Sequence, residues 1–357
     1  FVTCCILKFF KIIKTNNQMT KKVTIYDIAK KLNVTAATVS RALNDNPNIS
    51  DSTKKLVLET AEKMNYRQNR LAIALKSGRS NNIGVIVPRI NTNFFGSVIR
   101  GIEEELNASG YQVIICQTHN DESKEAENVE TLLNSQVDAI FMSTSSRNTV
   151  TFEKILRKRI PLIFFDRKKT MDNVSSVTID DFAGGYIATK HLIDQGCKKI
   201  AHISTGDLNI EIFRERFAGY KQALYDNDLP FYEDYVLSTK SNIEDGREAV
   251  KKLFSLKNKP DAIFSASDFV ALGAIQELQA MKLKVPQDVA VIGFSNEPFT
   301  NFLELSISTI DQFPLEMGKM TAKVFLEQID SSEVEKIQKK VVLEPKLIIR
   351  KSSNRGK

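Results

Sequence analysis

The sequence predicts a small all-α domain followed by a large α/β body built on two parallel sheets. Three observations carry that expectation. Residues 24–80 place their apolar side chains at helical spacing only, whereas from Ile83 onward apolar runs alternate with amphipathic helices. The charge divides at the same place. Of 357 residues, the first 82 hold 15 Lys and Arg against 5 Asp and Glu, and the rest hold 35 against 38. A basic head on a near-neutral body directs a polyanionic partner to the head alone.

The elements follow in order. Residues 1–18, FVTCCILKFFKIIKTNNQ, are apolar and free of acid. Lys8 and Lys11 interrupt a run too short to span a bilayer, and no small-residue cleavage site follows. Met19 stands just before a patterned helix, so the stretch is read as an extension outside the fold, a start-site artefact rather than a targeting segment. Thr24 then precedes a helix with Ile25, Ile28, Ala29 and Leu32 on one face. Asn33-Val34 breaks it, and Thr35 is placed to cap a second helix whose inward face is Val39, Ala42 and Leu43. A third helix starts after Ser50-Asp51 with the stripe Leu56, Val57, Thr60, Ala61 and Met64. Two short, closely joined helices closed by a third describe a helix-turn-helix domain over residues 20–67.

In VTAATVSRALN (34–44), subtracting the core positions leaves Thr35, Ala36, Ala37, Thr38, Ser40, Arg41 and Asn44 to face a DNA groove. Thr35, Thr38 and Ser40 suit phosphates, and Arg41 can fork onto guanine O6 and N7. The alanines allow close approach, with methyls that can pack on thymine. Asn44 is placed for backbone or base near the helix end. The competing reading, a solvated polar face, is weaker given the helix spacing and the basic charge.

Across the body, residues 83–87, 111–116, 138–143 and 161–166 read as buried strands, with helices over 94–109, 122–135 and 150–159 between them. A second series has strands at 198–204, 261–267 and 288–295 and helices at 181–195, 214–227, 244–256 and 269–281. Each βαβ series predicts a parallel sheet covered on both faces. Two such Rossmann-like sheets in tandem make a bilobed body, whose default ligand site is the cleft at the strand carboxyl ends.

Several classes are excluded. Cys4, Cys5, Cys116 and Cys197 form no CxxC pair and read as free thiols, and the three scattered histidines offer no zinc site. No metal or cofactor is expected. The chain lacks GxGxxG, GxxxxGK[ST], GxSxG and HExxH, so an enzyme is not expected. No stretch reads as transmembrane, which predicts a cytoplasmic protein.

VTIYDIAKKLNVTAATVSRALN, NYRQNRLAIAL, IGVIVP, DAIFSASDFVALGAI, VPQDVAVIGFSN and LEPKLIIRKS together resemble the LacI/GalR family of bacterial transcriptional regulators, from about Thr20 to Ser352. The resemblance implies a helix-turn-helix headpiece (20–67), a hinge helix and linker (68–82) and a periplasmic-binding-protein-like body (83–352). Its N-lobe would be about 83–180 plus 310–335, and its C-lobe about 181–309 plus 336–352. It adds Thr24 and Tyr26 to the DNA-facing residues and, in the hinge, Asn69, Ala72 and Leu75. Leu75 would wedge into a minor-groove base step and bend the duplex. Gln68 stands where relatives commonly have proline.

The effector residues so implied are Asn93, Phe94, Phe95, Asp166, Arg167, Arg216, Asp268, Ser295 and Asn296. Such carboxylates, amides, guanidinia and rings suit the hydroxyls and C–H face of a sugar. Ser295 replaces an aspartate frequent in relatives. Without Trp, Phe94, Phe269 or Phe299 would serve as the platform. A sugar is favoured over a purine. The chain stops after LIIR without a leucine-heptad helix, which implies a homodimer on pseudo-palindromic operator DNA. The expectation is a nucleoid-associated repressor of carbohydrate-utilisation genes under ligand control. The alternatives are an exported sugar-binding protein and a regulator answering to a purine.

Overall fold

In the computed structural model, residues 23–67, 78–146, 149–206, 210–330 and 338–356 are described. The chain divides into two units at Ser80–Asn81. The 1–18 extension and the hinge residues Asn69, Ala72 and Leu75 lie outside the described residues.

The first unit is a three-helix cluster of α1 (Ile25–Leu32), α2 (Ala36–Leu43) and α3 (Asp51–Lys63). Each start is chemically marked. Asp27 Oδ2 accepts from the backbone N–H and the hydroxyl of Thr24 at 2.8 and 2.7 Å. Thr35 Oγ1 accepts from Thr38 N–H, and Ser50 Oγ from Thr53 N–H. These bonds satisfy donors that a helix leaves unpaired in its first turn. Asn33 ends α1 in the left-handed region at φ 52°, a conformation asparagine tolerates. Ile28, Val39 and Val57, one from each helix, are fully buried at the centre.

The second unit contains two parallel sheets. In the first, β1 (Asn82–Val87), β2 (Gln112–Gln117), β3 (Ala139–Met142), β4 (Leu162–Phe165), β5 (Ser175–Ile179) and β11 (Lys340–Leu343) pair in the order β11-β5-β4-β3-β1-β2. In the second, β6 (Ile200–Thr205), β7 (Val236–Thr239), β8 (Ala262–Ser265) and β9 (Ala290–Ile292) pair as β7-β6-β8-β9. β1, β3, β4, β6, β8 and β9 are almost wholly buried because helices cover both faces.

Helices α4 (Asn93–Asn107), α5 (Glu122–Asn134) and α6 (Val150–Arg157) belong to the first lobe. α7 (Asp181–Asp194), α8 (Glu211–Tyr225), α9 (Ile243–Ser255) and α10 (Asp268–Ala280) belong to the second, followed by the short α11 (Phe299–Phe302). α12 (Pro314–Asp330) returns to pack on α4. Glycines set the closest helix crossings: a Cβ on Gly101 of α4 would lie 2.2 Å from Leu315 O, and one on Gly185 of α7 would lie 2.1 Å from Arg216 O.

One boundary differs from expectation. The resemblance places residues 336–352 in the second lobe, but Lys340–Leu343 pairs in parallel with Ser176–Ile179 of the first sheet. The chain therefore returns later. β12 (Lys346–Ile348) then runs antiparallel to β10 (Thr309–Asp311), so two passages between the lobes share one ribbon. No helix among the described residues is long and apolar enough to cross a membrane.

Candidate ligand cleft and nucleic-acid interface

The carboxyl ends of both sheets open onto a cavity of about 340 Å³, a size suited to a small ligand. Seven of the nine residues expected there line it: Phe94, Phe95, Asp166, Arg167, Arg216, Asp268 and Ser295. Phe94 and Phe95 stand edge to face at the start of α4, with centroids 5.0 Å apart.

Asp166 follows β4 with φ 59° and accepts a hydrogen bond from Ser143 Oγ at 2.8 Å; burial pushes its carboxyl up. Arg167 Nη1 donates to Asn120 Oδ1 at 2.7 Å, and the guanidinium lies 5.6 Å from the Phe213 ring. Its Nε is buried without a hydrogen-bond partner among the described residues.

Arg216 lines the cleft and is also held from behind by three hydrogen bonds. Its Nε donates to Asp181 Oδ1 at 2.8 Å, its Nη1 to Ala266 O at 3.3 Å and its Nη2 to Gln312 Oε1 at 3.1 Å. The guanidinium also lies 3.7 Å from the centroid of the Phe294 ring. The side chain is therefore largely committed to holding α7, β8 and the inter-lobe ribbon together. Burial drives the Asp181 carboxyl up, and Arg216 pulls it back.

Asp268 is fully buried. It accepts from Thr309 Oγ1 at 2.7 Å and from the backbone N–H of Glu297 at 2.8 Å, and burial pushes its carboxyl up to about 7. Ser295 Oγ accepts from Gln312 Nε2 at 2.9 Å.

Two expected residues do not reach the wall. Asn296 donates from Nδ2 to Asp311 Oδ2 at 3.0 Å and accepts from Arg350 Nη2 at 2.9 Å, which turns its amide into a tie between loop, ribbon and C-terminal strand. Asn93 contributes its backbone: burial raises the Glu297 carboxyl, and the backbone N–H groups of Phe94 and Asn93 at the start of α4 pull it back. An anion at that point suits the positive end of α4. Among the candidate platforms, Phe94 and Phe269 line the cleft, while Phe299 packs against Phe269 at 5.0 Å.

Arg89, Lys240 and Glu297 line the cleft without having been expected there. Arg89 stands two residues beyond β1, after Pro88, so the strand-end rule pointed to it. Lys240 follows β7, which the sequence pattern did not identify as a strand. Cys116 and Cys197 are free thiols, and no group of three or more potential metal ligands occurs among the described residues.

In the first unit, Ala37 and Arg41 lie exposed at i and i+4 on one face of α2, with the exposed C-cap Asn44 just beyond them, opposite buried Val39 and Ala42. Thr24, Thr35 and Tyr26 are also exposed, Tyr26 to 73%. Ala36 is the exception, because it packs partly against the core. Thr38 and Ser40 are half-buried; the Thr35 and Thr38 hydroxyls bond each other at 2.9 Å, and Asn44 Nδ2 donates to Ser40 O at 2.8 Å. Arg41 is the long cation of the exposed stripe.

Comparison with known proteins matches both units. Residues 24–69 match the profile of bacterial regulatory proteins of the lacI family. Residues 80–347 match periplasmic binding proteins and the sugar binding domain of the LacI family. Catabolite control protein A of Priestia megaterium is 34% identical, over 88% of this chain and 96% of its own. The HTH-type transcriptional repressor PurR of Actinobacillus pleuropneumoniae serotype 3 (strain JL03) is 30% identical, over 92% and 98%. The fold also superposes on the lac repressor dimer bound to operator and the anti-inducer ONPF, with a TM-score of 0.84 at 22% identity over 93% of this chain and 99% of that one.

Proposed function

Because the chain belongs to the LacI family of bacterial regulatory proteins, whose members are DNA-binding transcriptional regulators and not enzymes, we propose that it is a repressor of carbohydrate-utilisation genes controlled by a sugar-type ligand. The observation that carries the DNA side is the exposed stripe of Ala37 and Arg41 on the second helix, with the C-cap Asn44 just beyond it, in a basic three-helix unit. Arg41 reads guanine, Ala37 lets the helix approach closely, and Thr24, Tyr26, Thr35, Thr38 and Ser40 bind phosphates around them. Asn69, Ala72 and Leu75 complete the interface from the hinge, where Leu75 bends the duplex and adds shape readout.

The ligand side rests on the inter-lobe cavity. Rings at Phe94, Phe95 and Phe269 and polar groups at Asp166, Arg167 and Ser295 suit a hydroxylated ring. Arg216 and Asp268 face the same cavity while bracing its walls, and Asn296 braces them from behind. Ligand binding shifts the balance between two lobe arrangements, and a differential affinity of a few kcal/mol between them is enough to control DNA binding. The protein acts as a homodimer on a pseudo-palindromic operator in the cytoplasm, at the nucleoid, with paired recognition helices reading two half-sites.

Selection of operator DNA from a random pool, with and without a panel of sugars, tests the reading. A pseudo-palindromic site should be enriched, its yield should change with one sugar, and its affinity should fall steeply with salt. Enrichment of no sequence under any condition would overturn it. A purine that changes the yield in place of every sugar would move the ligand class.

A further inference from the structure

Beside the cleft lies a second cavity of about 190 Å³, and the two share Arg167, Ile210 and Ile212 as a common wall. Its charge is one-sided. Arg167, Lys168, Lys169 and Arg214 line it against a single carboxylate, Glu211. Lys168 Nζ stands 3.8 Å from Glu211, and Arg214 Nε is 3.5 Å from Glu215, while Lys169 makes no ion pair among the described residues. Arg167 is the hinge of the arrangement: its Nη1 is held by Asn120 on the cleft side, and its buried Nε makes no hydrogen bond among the described residues but stands 3.8 Å from Asp166 Oδ2.

The loop after β3 supplies the polar floor. Thr144 Oγ1 and Ser145 N–H both donate to Glu125, at 2.7 and 3.3 Å, which fixes the loop on a buried carboxylate. Ser145 Oγ is left buried with no hydrogen-bond partner in the described structure. A buried hydroxyl without a partner, beside a guanidinium N–H that only a 3.8 Å ion pair compensates, is costly unless a ligand completes it. The main cleft carries both signs, with the buried carboxyls of Asp166 and Asp268 beside Arg167 and Arg216. Arg89 and Lys240 line it, whereas the Glu297 carboxylate is taken up by the start of α4.

We propose that this side chamber is an anion subsite and that the cleft ligand is a phosphomonoester of a sugar, its hydroxylated ring in the cleft and its phosphate on Arg167, Lys169 and Ser145. This assignment rests on the cleft being the ligand site. A phosphomonoester matches the donors because it brings close to two negative charges and three acceptor oxygens at neutral pH. Guanidinium and ammonium groups form charge-assisted hydrogen bonds with it. A neutral sugar would leave the Ser145 hydroxyl unpaired and Lys169 with only the field of the buried Glu125 carboxylate to answer.

The test is titration of the full chain at constant ionic strength with hexose 1- and 6-phosphates, each paired with its unphosphorylated hexose, and with inorganic phosphate and a nucleoside monophosphate as separate arms. At least one hexose phosphate should bind about tenfold more tightly than its parent. Lys169→Gln should remove most of that difference while leaving the melting temperature in place, which separates a lost phosphate contact from a damaged fold. Parents binding as tightly as their esters, or a difference that survives Lys169→Gln, would overturn the assignment while leaving a ligand-controlled regulator intact. Tighter binding of the nucleoside monophosphate than of every hexose phosphate overturns the sugar ester. Binding of inorganic phosphate alone overturns the two-part ligand. Failure of the cleft reading itself shows differently, as no ligand of any arm altering operator binding.

Discussion

The backbone N–H of Glu297 donates to Asp268 Oδ2 at 2.8 Å, and the Glu297 carboxylate faces the start of α4, whose backbone N–H groups at Phe94 and Asn93 oppose the upward push of burial on its pKa. Asp268 begins α10 in one lobe and α4 belongs to the other, so Glu297 stands between the two helix starts in the wall of the ligand cavity. The buried anchor of Glu297 is Asp268.

Asp268 makes stability depend on pH with a definite sign. Burial raises its folded-state pKa to about 7, above the roughly 3.9 of an unfolded aspartate. Between those values the folded chain holds a proton that the unfolded chain has released, so this contribution declines as pH rises from about 4 through 7. Urea unfolding at stepped pH should show wild type losing stability relative to Asp268→Asn by up to roughly 1.4 kcal/mol per pH unit. Parallel profiles for the two proteins would contradict the assignment.

Arg216 is predicted to matter first for the fold. Arg216→Met leaves Asp181 buried without its cation, which should cost about 3 kcal/mol or more in denaturant titration. Adding Asp181→Leu should recover most of the loss, since the pair is then removed together. An additive double variant would show that the two residues do not act as a pair.

Gly185 tests the packing of α7 on α8. A methyl group there would lie 2.1 Å from the Arg216 carbonyl oxygen, inside any real contact distance, and the obstacle is backbone rather than a flexible side chain. Gly185→Ala should therefore destabilise the body by roughly 1–3 kcal/mol. Gly96→Ala, with open space at the corresponding point, should be close to neutral or gain from helix propensity. Equal melting temperatures for the two variants would refute the close crossing.

Much of this architecture could be read from the chain because buried parallel strands are continuous apolar runs. IGVIV, AIFM and LIFF needed no tertiary information. SSVTI of β5 escaped because three of its five residues carry hydroxyls, although every one is buried; Ser175 Oγ is satisfied by Gln328 and Lys339, partners more than 150 residues away. VLST of β7 is short and only half-buried at the sheet edge, so Lys240 beyond it was missed. The cleft was legible where strand ends carry charge or aromatics. It failed at Asn296, whose amide is claimed by Arg350 and Asp311 through a ribbon that only the folded chain assembles. The side chamber was invisible for the same reason: Ser145, Lys169 and Arg214 come from three separated segments.

The central claim is that α2 reads DNA through Arg41, with Ala37 making room. It is tested most directly by affinity for the selected operator, measured at fixed salt for wild type, Arg41→Ala and Ala37→Ser. Loss of a bidentate guanine contact should weaken Arg41→Ala by about tenfold or more and relax specificity at one base pair in each half-site. Ala37→Ser should change affinity by no more than about threefold, because a small exposed side chain is exchanged for another small one. An Arg41→Ala protein that binds the operator with wild-type affinity and wild-type base preference would contradict the account.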